Sequence, residues 1–254
     1  MATARGAAPL AAFMLHRYDW SESSLILDLF TRTQGRATVV AKGAKKPHSN
    51  LRAVLLPFQR IHVTLGRLPE GEGAGEVQTL RQADWAGGAA MLTGEALFSG
   101  FYLNELLMKL LARHDPHPAL FDTYALTLPG LAGADDLRAP AALRAFELTL
   151  LREIGLLPDL SRATLTLQPL RPDGLYALRP EAGVIEAMGE EPGVPGAVLA
   201  ALQAALERGS LEALQQTCAL ALPALRAQLR ALLHYHLGST PLRTRQVMHD
   251  LRTL

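Results

Sequence analysis

The chain contains one cysteine, Cys218, in 254 residues. An intramolecular disulfide is therefore excluded, and so is a zinc site built from several thiolates. Cys218 sits in the apolar stretch Thr217-Cys218-Ala219-Leu220, which suits a small buried side chain better than a nucleophile. No uninterrupted apolar run reaches the roughly 18 residues of a membrane span. The segment from Met1 to Ala12 is short and apolar, and Asp19 and Glu22 follow closely, so no secretory signal is expected and the chain reads as cytoplasmic. Catalytic signatures are missing too. There is no Gly-x-Ser-x-Gly elbow, no Walker loop and no His-Glu-x-x-His helix. His234 and His236 would diverge on a helix, and the acidic pairs Glu190-Glu191 and Asp135-Asp136 are adjacent loop residues. The chain reads as a binding protein with no cofactor and no metal, rather than an enzyme.

What is present is a chain 49% hydrophobic, ample for a core, and long enough for one or two domains. The net charge is only +1, but its distribution is uneven. Residues 1–60 carry nine cationic side chains against three acidic ones. Residues 226–254 carry five against one, and the middle is acidic. Two basic ends around an acidic middle suggest a polyanionic partner held at particular surfaces.

The N-terminal third reads as β. Strands are expected over 12–18, 24–31, 37–42, 57–65 and 76–80, with Gly35 at a hairpin link. Five short strands suit a small closed barrel of the OB type. The stretch holding Gly71, Gly73 and Gly75 is not a nucleotide loop, because it joins two strands and carries Glu70, Glu72 and Glu76. It is expected to be a hairpin tip. From Trp85 the pattern turns helical, with helices expected over 94–107, 121–128, 140–154, 197–207, 211–221, 223–237 and 241–251. Pro129 to Asp136 reads as a break, Gly155 as a helix end, and Gly209-Ser210 as the split between two helices. Residues 158–196 are rich in proline and glycine and read as loops with short strands, such as 163–167.

The strongest chemical signal is Lys42-Gly43-Ala44-Lys45-Lys46-Pro47-His48-Ser49-Asn50, directly after a strand. Loop lysines reach phosphates without fixed geometry, Gly43 allows close backbone approach, and Ser49 and Asn50 can donate to phosphate oxygens. Tyr18, Trp20 and Phe30 are candidate base-stacking rings. Trp20 has the better claim, since Phe30 and Phe58 are expected to fill the barrel. The candidate phosphate contacts are Arg17, Arg32, Arg36, Lys42, Lys45, Lys46, Ser49 and Arg52, with Arg243 and Arg245 at the other basic end.

Three stretches also resemble the RecO family of bacterial recombination mediators, in family order. The first comprises Tyr18-Asp19-Trp20-Ser21-Glu22, Leu29-Phe30-Thr31-Arg32-Thr33-Gln34-Gly35, Val40-Ala41-Lys42-Gly43 and Leu55-Leu56-Pro57-Phe58. The second is Arg144-Ala145-Phe146-Glu147-Leu148 through Gly155-Leu156-Leu157-Pro158. The third is His234-Tyr235-His236-Leu237-Gly238 through Arg243-Thr244-Arg245. The resemblance implies an α+β multidomain chain. An N-terminal five-stranded OB-fold barrel would occupy 1–82. An α-helical bundle would occupy 83–254, with a small zinc-ribbon-like insert at about 158–196. Many family members carry two Cys-x-x-Cys pairs there. By register these fall on Ala163 and Thr166, and on Glu186 and Gly189, so the insert lacks its cysteines.

The resemblance further implies a DNA-repair role at the nucleoid. Such proteins bind single- and double-stranded DNA, anneal complementary strands, and contact the acidic tail of single-strand-binding protein. With RecR they place RecA on gaps. The helix bearing Arg144 and Arg152 is the candidate site for that tail. Two other classes stay open. One is an RNA-binding OB protein acting in translation, which competition between DNA and RNA of equal length would separate. The other is a nuclease, which metal-dependent cleavage of labelled DNA would reveal.

Overall fold

Alternating apolar residues in the N-terminal third are expressed as five strands that close on themselves. The structure, a computed structural model, describes residues 8–68, 77–88, 91–132, 137–238, 242–244 and 246–247. The expected glycine-rich tip at 69–76 lies outside these, as does most of the expected last helix. The chain divides into two compact units, Met1–Leu128 and Pro129–Leu254.

In the first unit β1 (Leu10–Asp19), β2 (Leu25–Thr31), β3 (Gly35–Ala41), the short helix α1 (Leu51–Val54), β4 (Gln59–Leu65) and β5 (Val77–Gly88) form a closed barrel. Its strand order is β1-β2-β3-β5-β4. Leu27, Leu29, Val39, Ile61 and Val63 fill the interior. The last strand is longer than expected, and residues 85–88, read as the start of the helical region, belong to it. Closure demands that length: β5 runs parallel to β3 at 77–79 and antiparallel to β4 at 80–88.

A β-bulge at Leu15 divides β1 into two halves of opposite facing. Met14 stands opposite Leu29, but His16 stands opposite Asp28, so Leu15 is one residue extra. Beyond it Arg17 and Asp19 share the inner face of Leu27 and Leu25, while His16 and Tyr18 take the outer face with Asp28 and Ile26. The carbonyl of Leu15 accepts a 2.9 Å hydrogen bond from the side chain of buried Asn104 on α2 (Gly94–Leu110). Asn104 in turn accepts from the Tyr124 hydroxyl on α3 (Pro118–Leu131) at 2.6 Å. Tyr124 is fully buried, which holds its phenol protonated well above the ordinary range. Asn104→Ala removes both bonds from a buried site and is expected to cost about 2–4 kcal/mol in urea unfolding. Wild-type stability in that variant would show that the bulge holds itself.

Phe30 and Phe58 are buried but do not fill the barrel. Phe30 lies on its outer face, 5.4 Å from the Phe121 ring, and Phe13 lies 5.2 Å from the same ring. Phe58 packs on Phe101 at 5.1 Å. These rings join the barrel wall to α2 and to the Phe121–Tyr124 portion of α3, so the wall is apolar on both sides there.

In the second unit α4 (Arg138–Glu153) ends as expected at Gly155, whose φ is 72°. Gly155 N–H donates to Arg152 and Leu156 N–H to Leu151, which completes a Schellman motif. Then come β6 (Leu175–Arg179), β7 (Gly183–Glu186) and β8 (Val194–Pro195), in a sheet ordered β7-β6-β8. The strand expected at 163–167 is a turn instead. Thr164 pins it to the sheet: its N–H donates to Val184 O at 2.9 Å, and its hydroxyl accepts from Val184 N–H at 2.8 Å. Helices α5 (Gly196–Glu207), α6 (Leu211–Ala219) and α7 (Leu222–Leu237) complete the unit, with Gly209 and Ser210 at the split between α5 and α6. Cys218 is buried against α4, and burial pushes its thiol up to about 12.

Candidate nucleic-acid interface

Six of the sequence-based contact residues come together at one end of the barrel. The strands β1 and β3 end there and β2 begins there. Gly43, with φ 72°, turns the chain out of β3. Successive tight turns follow, Lys46 N–H to Gly43 O at 3.1 Å and Ser49 N–H to Lys46 O at 3.0 Å. The loop is anchored to the β1–β2 link by Lys45 N–H donating to Ser23 O at 3.0 Å. Lys42 and Lys46 are exposed on it, and Ser49 is half-buried. Arg52 is exposed on α1, which follows directly.

Inside this rim lies an open cavity of about 460 Å3 lined by Arg17, Asp19, Lys45 and Arg52 over Leu25, Ala44, Leu51 and Leu55. The β-bulge explains why Arg17 and Asp19 reach it. Lys45 Nζ pairs with Asp19 at 3.1 Å, so part of its charge is already answered. Among the described residues Arg17, Lys42, Lys46 and Arg52 make no ion pair. Such cations are suited to phosphate oxygens, which they meet as charge-assisted hydrogen bonds.

The outer face at the same end is aromatic. His16 and Tyr18 stack edge-on with centroids 4.4 Å apart, and Trp20 follows, 64% exposed. Burial, and then the charge of Asp28, raise the Tyr18 phenol above its ordinary pKa. Asp28 itself is buried and accepts from the Thr38 hydroxyl at 2.8 Å. Phe30, fully covered, cannot stack on a base. His16 escaped the sequence reading; its spacing of two puts it in line with Tyr18, and the bulge turns both to the outer face. Trp85 also escaped it. It is 64% exposed on β5, its indole 3.4 Å from Gln59 Oε1, and strand alternation continued past Leu80 would have found it.

Four expected contacts are used otherwise or lie elsewhere. Arg36 is half-buried and donates to the carbonyls of Met108 and of Leu111 (3.0 Å for the latter), closing the C-terminal end of α2. Burial lowers its guanidinium pKa, and it is withdrawn as a phosphate ligand. Arg32 holds Asp122 in a two-pronged pair, Nε to Oδ1 at 2.9 Å and Nη2 to Oδ2 at 2.8 Å. That bond keeps the Asp122 carboxyl below its usual range. Both arginines sit near the Thr31–Gly35 hairpin, a strand length of roughly 20 Å from the basic loop. Arg243 is exposed in the second unit, and Arg245 lies outside the described residues.

The pair expected to rim a peptide site separates as well. Arg144 turns inward and pairs with the fully buried Glu147 at 2.6 Å, leaving it 11% exposed. A buried carboxylate needs such a neighbour, so Arg144 serves the fold. Arg152, two turns on, remains exposed.

Two family profiles together match almost the whole chain. A profile described as "Recombination protein O N terminal" matches residues 9–88, and one described as "Recombination protein O C terminal" matches residues 91–246. A DNA repair protein RecO of Polaromonas sp. strain JS666 is 52% identical, with 96% of each chain covered. One from Variovorax paradoxus is 51% identical with both chains fully covered, and one from Polaromonas naphthalenivorans is 53% identical with 96% covered. No described helix is long and apolar enough to cross a membrane. With both domain profiles matched in order over an N-terminal OB barrel and a helical region, the chain belongs to the RecO family of DNA repair and recombination proteins.

Proposed function

We propose that the chain is a recombination mediator that grips DNA at the basic end of its barrel and anneals complementary strands. With RecR it helps load RecA onto DNA coated with single-strand-binding protein, acting at the nucleoid as a binding protein rather than an enzyme. The observation that carries this reading is convergence. Arg17, Lys42, Lys45, Lys46, Ser49 and Arg52 come from three separate elements to one rim, beside exposed rings. Annealing places two polyanions side by side, and cations on a shared surface offset their repulsion. The rings Tyr18 and Trp20 supply stacking that tolerates any base.

Arg152, exposed on α4, is the remaining cation of the pair expected to meet the acidic tail of single-strand-binding protein. Double-stranded DNA meets the same loop through its phosphates, which carry no sequence information.

The test is annealing of complementary oligonucleotides coated with single-strand-binding protein, with and without RecR, across a salt series. Faster annealing is expected with the protein. If Arg17, Lys42, Lys46 and Arg52 each meet one phosphate of a single strand, log affinity should fall with log salt at a slope of about −3. Affinity indifferent to salt would overturn the reading. Cleavage of the DNA dependent on magnesium or manganese would overturn its non-enzymatic part.

A further inference from the structure

The cavity at the mouth of the barrel has features that a general phosphate-gripping surface does not require. Three of its lining side chains are cationic, Arg17, Lys45 and Arg52, and one is acidic, Asp19. Its floor is apolar: Leu25, Ala44 and Leu55 belong to the barrel core, and Leu51 packs against them. Because the core closes it below, a polymer cannot thread through. Its volume of about 460 Å3 falls within the roughly 300–1,000 Å3 of small-ligand pockets.

We propose that this mouth seats a nucleoside phosphomonoester, the phosphorylated end of a DNA strand, with the nucleoside on the leucine floor and the phosphate between Arg17 and Arg52. The inference rests on the nucleic-acid reading above and names the part of the strand that this pocket takes. Charge decides between an end and an interior linkage. A phosphate monoester carries about −1.5 to −2 near neutral pH, whereas an internal diester carries a single charge. Three cations against one carboxylate leave an excess that matches the monoester. A dead-end pocket also suits a terminus, since the chain need leave in one direction only. Arginine meets phosphate through two parallel N–H groups, so two arginines can address all three terminal oxygens. Lys45, shared with Asp19, tunes rather than dominates the site.

Fluorescence anisotropy on the full chain tests this with one short single-stranded oligonucleotide in three forms: 5′-phosphate, 3′-phosphate and no terminal phosphate. One phosphorylated form is expected to bind roughly ten-fold tighter than the bare one. That ratio is expected to fall to unity in Arg17→Gln/Arg52→Gln, whose melting curve reports that the barrel is intact. Titration with deoxynucleoside monophosphate separates the two sources of this chemistry. Displacement to the bare level at concentrations no higher than the phosphorylated oligonucleotide itself needs assigns the seat to a free mononucleotide, and displacement only far above them assigns it to a strand end. Equal binding of all three forms by the wild-type chain overturns the inference and leaves the DNA reading standing. Binding of none overturns both.

Discussion

Lys42→Glu/Lys46→Glu is expected to weaken binding to single-stranded DNA about a hundred-fold at physiological salt, and to abolish most annealing, while the protein melts as wild type. The magnitude follows from counterion release. Each lysine that no longer meets a phosphate gives up a share of log affinity that grows as salt falls, and the two new carboxylates add repulsion of similar size. The unchanged melting curve follows from placement. Both lysines are exposed on the loop after β3, and neither makes an ion pair among the described residues. Lys45 is left intact on purpose. Its side chain holds Asp19, and its N–H anchors the loop to Ser23, so reversing it would mix folding with binding. Arg208→Glu, an exposed change at the end of α5 in the second unit, gives the effect of net charge alone for half the charge change of the double variant. Normal annealing by the folded Lys42/Lys46 variant would remove the loop from the mechanism.

A second large effect is expected from one methyl group. Gly35→Ala should lower stability by about 3 kcal/mol or more and lower the melting temperature of the first unit by over roughly 10 °C. Gly35 has φ 67°, a left-handed conformation that costs an L-residue about 1 kcal/mol. The larger part is steric. A Cβ here would lie well inside contact distance of the Asp115 backbone, which cannot swing aside as a side chain does. That backbone is fixed by a β-bridge between Arg36 and Arg113 and by His114 N–H donating to Arg36 O at 2.9 Å. Thr31 Oγ1 adds a hydrogen bond to Gly35 O at 2.8 Å and accepts from Gln34 N–H at 3.1 Å, so the hairpin is rigid too. Gly87→Ala is the comparison. Its φ is 89°, but nothing lies within 4 Å of the added Cβ, so only the conformational cost of about 1 kcal/mol is expected. If the two alanines cost the same, the close approach to Asp115 is not what Gly35 is for.

Features governed by local chemistry were legible in the sequence. Alternation exposed the five strands, since period two holds wherever one face is buried. Gly35, Gly155 and Gly209 marked turns because only they take positive φ cheaply. The lysine-rich loop was legible as a run of like charge directly after a strand. Features that depend on a distant segment were not. Nothing near Arg36 announces that the end of α2 will need its guanidinium, and nothing near Arg144 announces that Glu147 will be fully buried. Phe30 looks like a core residue and is one, but its core lies outside the barrel, against Phe121 and Tyr124. The 163–167 segment has strand-like residues, yet Thr164 spends its backbone N–H and its hydroxyl on Val184, and Leu167 takes φ 57°, so a turn results. Sequence proximity therefore kept the loop lysines together, and Arg32 and Arg36 were grouped with them only by charge.

The extra residue at position 15 carries one more consequence. Side chains on β1 after it owe their direction to a count, not to their identity. Ironing out the bulge with Leu15 kept, so that Leu15 pairs with Asp28, would slip the rest of β1 by one step along β2, swinging Arg17 and Asp19 outward and His16 and Tyr18 inward. All four residues would survive and the overall charge would be the same, yet the pocket would lose a cation and the outer wall its rings. A one-residue slip in pairing is thus a more drastic lesion to this protein's grip than the loss of Arg17 alone.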